Sequence, residues 1–272
     1  MSYRNNTYCQ DKIKRSLFFL YLALVCNLTI YSNNNPDKKS ILLDYSPFIP
    51  SSSHIFTQGI WLNKSYTSIG IENRYCLAEL TDKMVCHGFR LRKDLFLFRL
   101  SHFGYSKIGC LDASFGYCRE ISEKFAMGLR FHYLLDHAYQ YRSTHSFTVE
   151  ASASLWVNNN VQIGFAVYNP IMLKYGIIGE QLIPITFKLH ASYKIGKRTL
   201  LWCYLQKSQP GGFFCNAGTN LEIKNTMLSL GAGNRSCFLA FSIIYKKIIF
   251  QFRSEYSFRL GYSPVLHAHL LY

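Results

Sequence analysis

Hydrophobic and polar residues alternate with a period of two along most of the chain after residue 65. In the last stretch, Leu260, Tyr262, Leu266, Ala268, Leu270 and Tyr272 fall on one side, and Gly261, Ser263, His267 and His269 on the other. This period is the signature of a strand with one apolar face. Across residues 108–119, Leu111, Ala113, Phe115 and Tyr117 oppose Asp112, Ser114, Gly116 and Cys118. Across 124–134, Phe125, Met127, Leu129, Phe131 and Tyr133 oppose Ala126, Gly128, Arg130 and His132. Across 145–156, Val149, Ala151, Ala153 and Leu155 oppose Glu150, Ser152, Ser154 and Trp156.

Weaker versions of the same pattern predict strands at 66–76, 85–92, 94–103, 161–168, 184–195, 199–207, 213–224, 226–233, 237–245 and 248–258. Turn residues separate them, among them Asn158 to Asn160, Gly196, Asn225, Asn234 and the pair Lys246 and Lys247. Residues 171–184 form a longer connection. The total is about fourteen strands, most near the roughly 9–11 residues that a tilted strand needs to cross a bilayer. Short connections alternate with longer ones, as in barrels that cross a membrane.

An amphipathic strand at the very end of a chain points the same way. Free ends fray, but a closed barrel must pair its last strand with its first to remove the open edge. The pattern therefore predicts an all-β fold, a transmembrane antiparallel β-barrel spanning residues 62–272. The alternative is a secreted all-β sandwich acting as a binding or adhesion module. Sandwich strands average about 5–6 residues, shorter than most of these.

Before the strands, Lys12, Lys14 and Arg15 precede an apolar run over residues 17–30. A basic start and an apolar run of this length read as an export signal over residues 1–32, with cleavage near Ser32. Lipidation of Cys26 is disfavoured because Val25 stands where a small residue belongs. Residues 33–61 read as a periplasmic or plug-like lead-in.

Composition agrees with a barrel. Aromatics make up 16% of residues and charged residues only 17%, against roughly 25% charged in a soluble domain. Mean hydropathy is near zero, as expected when lipid-facing and lumen-facing residues cancel. Aromatics cluster at predicted strand ends, as interfacial girdles require: Tyr66, Tyr75, Phe103, Tyr105, Trp156, Tyr168, Tyr193, Tyr256, Phe258 and Tyr272. The net charge is +15, but the basic residues are scattered singly and no nucleic-acid motif is present. We read them as a basic lumen or rim facing anionic groups, with no nucleic-acid partner.

The nine cysteines show no CxxC or zinc spacing. Cys9 and Cys26 fall in or before the export signal, which leaves an odd number. Unpaired packing cysteines are expected, with Cys76 and Cys86 the pair to check.

The terminal aromatic on an alternating strand resembles the C-terminal signal of bacterial outer-membrane proteins. The segments Ile71 to Leu80, Phe103 to Tyr105, Val149 to Leu155 and Val161 to Pro170 resemble Bacteroidota-type outer-membrane barrels of the FadL superfamily, near the PorV/PorQ-type barrels. These are strand-and-turn phrases rather than catalytic signatures. Members usually carry Asn-Pro-Ala early in the first strand region, where this chain has Leu62, Asn63, Lys64 and Ser65. The resemblance implies transport of small, including hydrophobic, solutes, or a secretion-associated barrel of the type IX kind.

Candidate site residues lie on the polar strand faces, which in a barrel line the lumen. They are Asp112, Arg130, His132, Glu150, Lys188, Lys194, Glu222, Arg253 and Glu255. Buried charges must be paired, so an ion-pair ladder filling the interior is favoured over a charged solute path. His267 and His269 share a strand face, but two imidazoles do not make a metal site. A lipid-acting enzyme would need a serine beside a histidine. Ser101 with His102, and His145 with Ser146, are sequence neighbours and point to opposite faces of a strand. No catalytic residue, cofactor or metal is expected. The expected partners are outer-membrane lipid or lipopolysaccharide, a small-molecule solute or a secretion-machinery protein.

Overall fold

The computed structural model describes residues 55–62, 64–140, 143–171, 174–175, 181–209 and 211–272, all within one compact unit, Ser40–Tyr272. The expected export signal and the lead-in as far as residue 54 lie outside the described residues. A 3-10 helix, Phe56–Leu62, comes first. The strands follow as β1 (Tyr66–Asn73), β2 (Thr81–Leu91), β3 (Asp94–Gly104), β4 (Ile108–Ser122), β5 (Phe125–Ala138), β6 (Thr144–Trp156), β7 (Val161–Tyr168), β8 (Lys174–Tyr175), β9 (Gln181–Leu182), β10 (Ile185–Ile195), β11 (Thr199–Gln209), β12 (Phe213–Ile223), β13 (Thr226–Gly233), β14 (Ser236–Tyr245), β15 (Ile248–Ser257) and β16 (Gly261–Leu271).

Fourteen of these strands close into one antiparallel barrel; the two-residue strands β8 and β9 pair only with each other. β16 pairs with β1 in the register Tyr66 to Leu271 through Glu72 to Val265. The Tyr272 amide donates to the Ser65 carbonyl at 3.1 Å. Closure leaves no open edge in the barrel sheet, which is what a sheet in hydrocarbon requires. It also excludes the two-sheet sandwich.

One end of the barrel carries both strand termini, Tyr66 and Tyr272, and the tight connections 92–93, 123–124, 157–160, 196–198, 224–225 and 246–247. The opposite end carries 74–80, 105–107, 139–143 and the long connection 169–184. We call these the short-turn end and the long-loop end.

The outer face is apolar and bare. Phe131, Phe147, Phe252 and Leu266 are each about half exposed or more, at 55%, 66%, 49% and 58%. A continuous belt of this kind is far larger than a water-exposed surface tolerates and suits lipid tails. Tyrosines mark its borders: Tyr193, Tyr245 and Tyr272 near the short-turn end, and Tyr105, Tyr139 and Tyr262 near the long-loop end. The expected girdle is corrected in part. Tyr66, Phe103, Trp156 and Tyr168 point inward by strand parity, Tyr66 being buried and Trp156 packing on Trp61. Position at a strand end does not separate an interfacial aromatic from a lumen-filling one; parity along the strand does.

Other boundaries shift modestly. β1 stops at Asn73 because Tyr75 and Cys76 adopt φ of 59° and 57°, a left-handed pair that breaks a strand. β2 starts at Thr81, earlier than expected, after a second 3-10 turn, Ala78–Leu80. All seven described cysteines are free, Cys76 exposed in the connection and Cys86 buried inside the wall. Cys76 and Cys86 therefore lie on separate elements with Cys86 opposite Ser68.

Candidate functional site: a half-filled lumen

The inward positions of β2–β7 and β10 enclose the 3-10 helix Phe56–Leu62. Ile55, Thr57, Gln58 and Ile60 are almost completely buried. Gln58 Nε2 donates to His190 Nδ1 on β10 at 2.7 Å. Trp61 Nε1 donates to Ser154 Oγ on β6 at 3.0 Å, and Ser154 Oγ donates to the Thr57 carbonyl at 3.4 Å. Arg90 on β2 donates to the Ile60 carbonyl and pairs with Glu120 at 2.9 Å. A short helix cannot satisfy its own terminal carbonyls, and here wall side chains do so.

Below these bonds Phe56 and Ile60 pack with Leu95, Leu97, Met227, Ile249 and Leu271. An apolar cluster therefore fills the lumen toward the short-turn end. Small inward residues make room for the helix. Gly116 lies against Phe56 and Gly164 against Gln58 and Ile55, where an added Cβ would stand 3.3 Å from Phe56 and 3.1 Å from Gln58, a tight fit.

Higher in the same half stands a charged network. Glu150 on β6 is fully buried and accepts from Arg130 Nη2 at 2.9 Å and from Lys188 Nζ at 3.2 Å. Arg130 Nε donates to His132 Nε2 at 3.1 Å, while His132 Nδ1 donates to Asp112 at 3.0 Å. One acceptor nitrogen and one donor nitrogen describe a neutral imidazole fixed by its two partners. Arg130 also sits 5.2 Å from the Phe56 ring centroid, so the network touches the helix it surrounds. Strand register brings these residues together: Arg130 lies opposite Glu150 across β5 and β6.

The remaining half of the lumen, lined by β11–β16, β1 and His190 of β10, is filled by none of the described residues. A cavity of about 920 Å³ lies there, reaching from the long-loop end down to Leu200, Asn220, Gln251 and His267. Trp202 Nε1 donates to Asn220 Oδ1 at 3.1 Å, and the Trp202 and Phe238 rings lie nearly parallel, 14° apart with centroids 5.7 Å apart. Arg253 lies 4.4 Å from the Phe238 centroid and pairs with Glu255. Ser236 Oγ donates to the other Glu255 oxygen at 2.7 Å.

Of the nine residues expected to line the lumen, five gather in the charged network: Asp112, Arg130, His132, Glu150 and Lys188. Arg253 and Glu255 form a separate pair on the cavity wall. Lys194 lies over the Trp156 ring, 5.6 Å from its centroid, away from both groups. Glu222 is half-buried near the short-turn end, outside the cavity lining.

His267 and His269 are both buried on the lumen face, 5.6 Å apart, with His269 Nδ1 hydrogen-bonded to Ser68 Oγ at 2.8 Å. Among the described residues no group of three or more metal-ligating side chains converges. Ser101 and Ser146 face inward, whereas His102 and His145 take the other face, His145 pairing with the Tyr133 hydroxyl at 2.6 Å. Sequence reasoning missed Gln58, Trp61 and Arg90, which hold the helix, and Trp202, Asn216 and Gln251 in the cavity. The inward parity of each of these strand residues was visible, but not which wall would stay empty.

Basic residues gather at the short-turn rim. Lys64, Arg92, Lys93, Lys124, Lys197, Lys224, Lys246 and Lys247 are all exposed there.

No family model matches the chain, and no curated protein matches it. Solved structures do. The CymD monoaromatic hydrocarbon channel is similar over 84% of this chain and 93% of its own, with a TM-score of 0.57 and 7% identity. The Ralstonia pickettii toluene transporter TbuX is similar over 77% of this chain and 90% of its own, with a TM-score of 0.55 and 8% identity. The fold is that of an outer-membrane β-barrel.

Proposed function

We propose that the protein conducts small solutes across an outer membrane through a lumen closed by its own segment Phe56–Leu62, and that it is not an enzyme. The carrying observation is the division of the lumen. Wall side chains and an apolar cluster hold the helix toward the short-turn end, while a cavity of about 920 Å³ stands open above. Solute held in the cavity passes when the helix shifts or leaves.

In bacterial barrels of this kind, short turns face the periplasm and longer loops the outside. On that orientation the cavity opens outward and the helix lies on the periplasmic side. The exposed lysines and Arg92 of the short-turn rim then face lipid phosphates of the inner leaflet, and lipopolysaccharide surrounds the opposite end. Delivery by an N-terminal export signal belongs to the same reading.

The likeness in fold to a monoaromatic hydrocarbon channel and a toluene transporter supports a place in the FadL superfamily. The secretion-associated role of PorV/PorQ-type barrels rests on the strand-and-turn phrases alone. A second protein that stays bound through detergent extraction would move the reading toward secretion.

The test is a flux assay. Full-length protein in liposomes is compared with Trp61→Ala/Gln58→Ala, which removes two of the bonds that hold the helix. Low basal permeability that rises sharply in the double variant is the expected result. Equal permeability in both, or none in either, overturns the gated-lumen proposal.

A further inference from the structure

The open half of the lumen has a chemistry of its own. Trp202, Gly218, Gly231 and Phe238 occupy successive inward positions in one row across β11–β14. The two central residues have no side chain, so the flanking rings fold over them and meet above Gly231. A Cβ at Gly218 would stand 2.5 Å from the Trp202 ring, and one at Gly231 2.4 Å from the Phe238 ring. The result is an aromatic shelf lying flat on the wall, with the cavity above it.

Polar atoms surround the shelf. Asn216, Ser229, Gln251 and His267 are each nine-tenths or more buried and line the cavity. Asn216 Oδ1, Ser229 Oγ, Gln251 Oε1 and His267 Nδ1 lie just beneath the cavity surface and make no hydrogen bond among the described residues. Buried polar groups cost free energy when a bound molecule leaves them unpaired. A hydrocarbon would displace water from this polar lining without replacing its hydrogen bonds, and hydroxyl groups would replace them.

The charge is one-sided. Four arginines line the cavity, Arg74, Arg235, Arg253 and Arg259, against two glutamates, Glu72 and Glu255. Both glutamates are taken, Glu72 by Arg74 at 3.5 Å and Glu255 by Arg253. Arg235 and Arg259 are exposed at the long-loop mouth and make no ion pair among the described residues.

We infer that this cavity binds a hydroxylated ring acid, a sugar carrying a carboxylate or phosphate. The ring lies on the Trp202–Phe238 shelf, the hydroxyls meet Asn216, Ser229 and Gln251, and the acid group meets Arg235 at the mouth. The volume falls within the roughly 300–1,000 Å³ of ligand pockets. The inference rests on the solute-conducting reading and names the solute class for it.

The test is calorimetric titration of the full-length protein in detergent with four probes: glucuronate, glucose, benzoate and toluene. Each of the last three lacks the charge, the hydroxyls or both. Glucuronate should bind saturably and at least about tenfold more tightly than the others, the factor set by one charge-assisted hydrogen bond. Arg235→Gln, at an exposed turn, should reduce glucuronate to the affinity of glucose. Gln251→Leu should reduce it to that of benzoate.

Toluene binding as tightly as glucuronate overturns the inference, as does no binding by any probe or no effect of either variant. Liposome flux on the same preparation separates the two proposals. Binding without flux retains this site and sinks the solute-conducting reading. Gated flux without saturable glucuronate binding does the reverse.

Discussion

The two halves of the lumen use the same alternating strands and small inward residues, yet one is full and the other open. In β2–β7, glycines and serines leave room that the helix Phe56–Leu62 occupies, Gly116 and Gly164 lying against it. In β11–β14, Gly218 and Gly231 leave room that the wall's own Trp202 and Phe238 occupy by lying flat. A missing side chain therefore has opposite consequences. Where a separate segment fills the space, the lumen closes. Where a neighbouring ring fills it, the centre stays free.

Charge divides the halves in the same way. Glu150 is fully buried between two cations, whereas Arg253 and Glu255 are both partly exposed on the cavity wall. The largest expected effect breaks the filled half. Glu150→Ala removes the buried carboxylate that both Arg130 and Lys188 bond, and should destabilise the barrel by about 3–5 kcal/mol. Urea unfolding in lipid vesicles, followed by the gel shift between folded and boiled protein, measures it. A loss below about 1 kcal/mol would mean that water reaches the network and that the halves differ less than drawn.

Next comes the helix itself. Ile60 is completely buried in the apolar cluster, and Ile60→Ala should cost about 2–5 kcal/mol of packing. The loss should appear first as protease sensitivity of the residues around 55–62 and as raised liposome permeability, before the barrel itself unfolds. Unchanged permeability with a destabilised barrel would make the helix a structural prop rather than a closure.

A smaller effect tests the open half. Gly231→Ala places a Cβ against both shelf rings, 2.4 Å from Phe238 and 2.9 Å from Trp202. Overpacking of this kind costs about 1–3 kcal/mol. Both rings should swing into the cavity, which Trp202 fluorescence would register as a change in emission maximum. An unaltered emission would show that the shelf is not held by close approach to the glycine.

Much of this was legible in the sequence. Period-two alternation located all fourteen barrel strands, because a wall with lipid on one side and a lumen on the other repeats every second residue. Five of the nine polar candidates came together because register couples neighbouring strands, as with Arg130 and Glu150. The division of the lumen was not legible. Alternation places Asn216 and Ser152 inward alike, but only the path of the segment before β1 decides which is covered. The aromatic shelf was hidden for a similar reason. Gly218 and Gly231 read as weak strand positions until Trp202 and Phe238 are seen to cross them. Tyr66 and Trp156 read as girdle residues from their place at strand ends alone, although Trp156 shares the parity of Glu150, Ser152 and Ser154.

The smallest effect sharpens the electrostatic contrast. Arg253 and Glu255 sit two residues apart on one strand face and are about one-fifth exposed, at 19% and 23%. Water in the cavity reaches both, so Glu255→Gln should cost about 1 kcal/mol or less. The amide keeps the shape and still accepts from Ser236. Losing the carboxylate does, however, release Arg253 from its partner beside Phe238, and the cavity gains a net positive charge. Stability should barely move while affinity for an anionic probe such as glucuronate rises, more so at low salt, where charges are least screened. In the filled half the same Glu to Gln exchange at position 150 should do the opposite, destabilising the barrel with little change in anion binding, since Glu150 does not face the cavity. A shared response at both positions would mean that the two halves form one electrostatic unit, and the division between a closed wall and a receiving wall would fail.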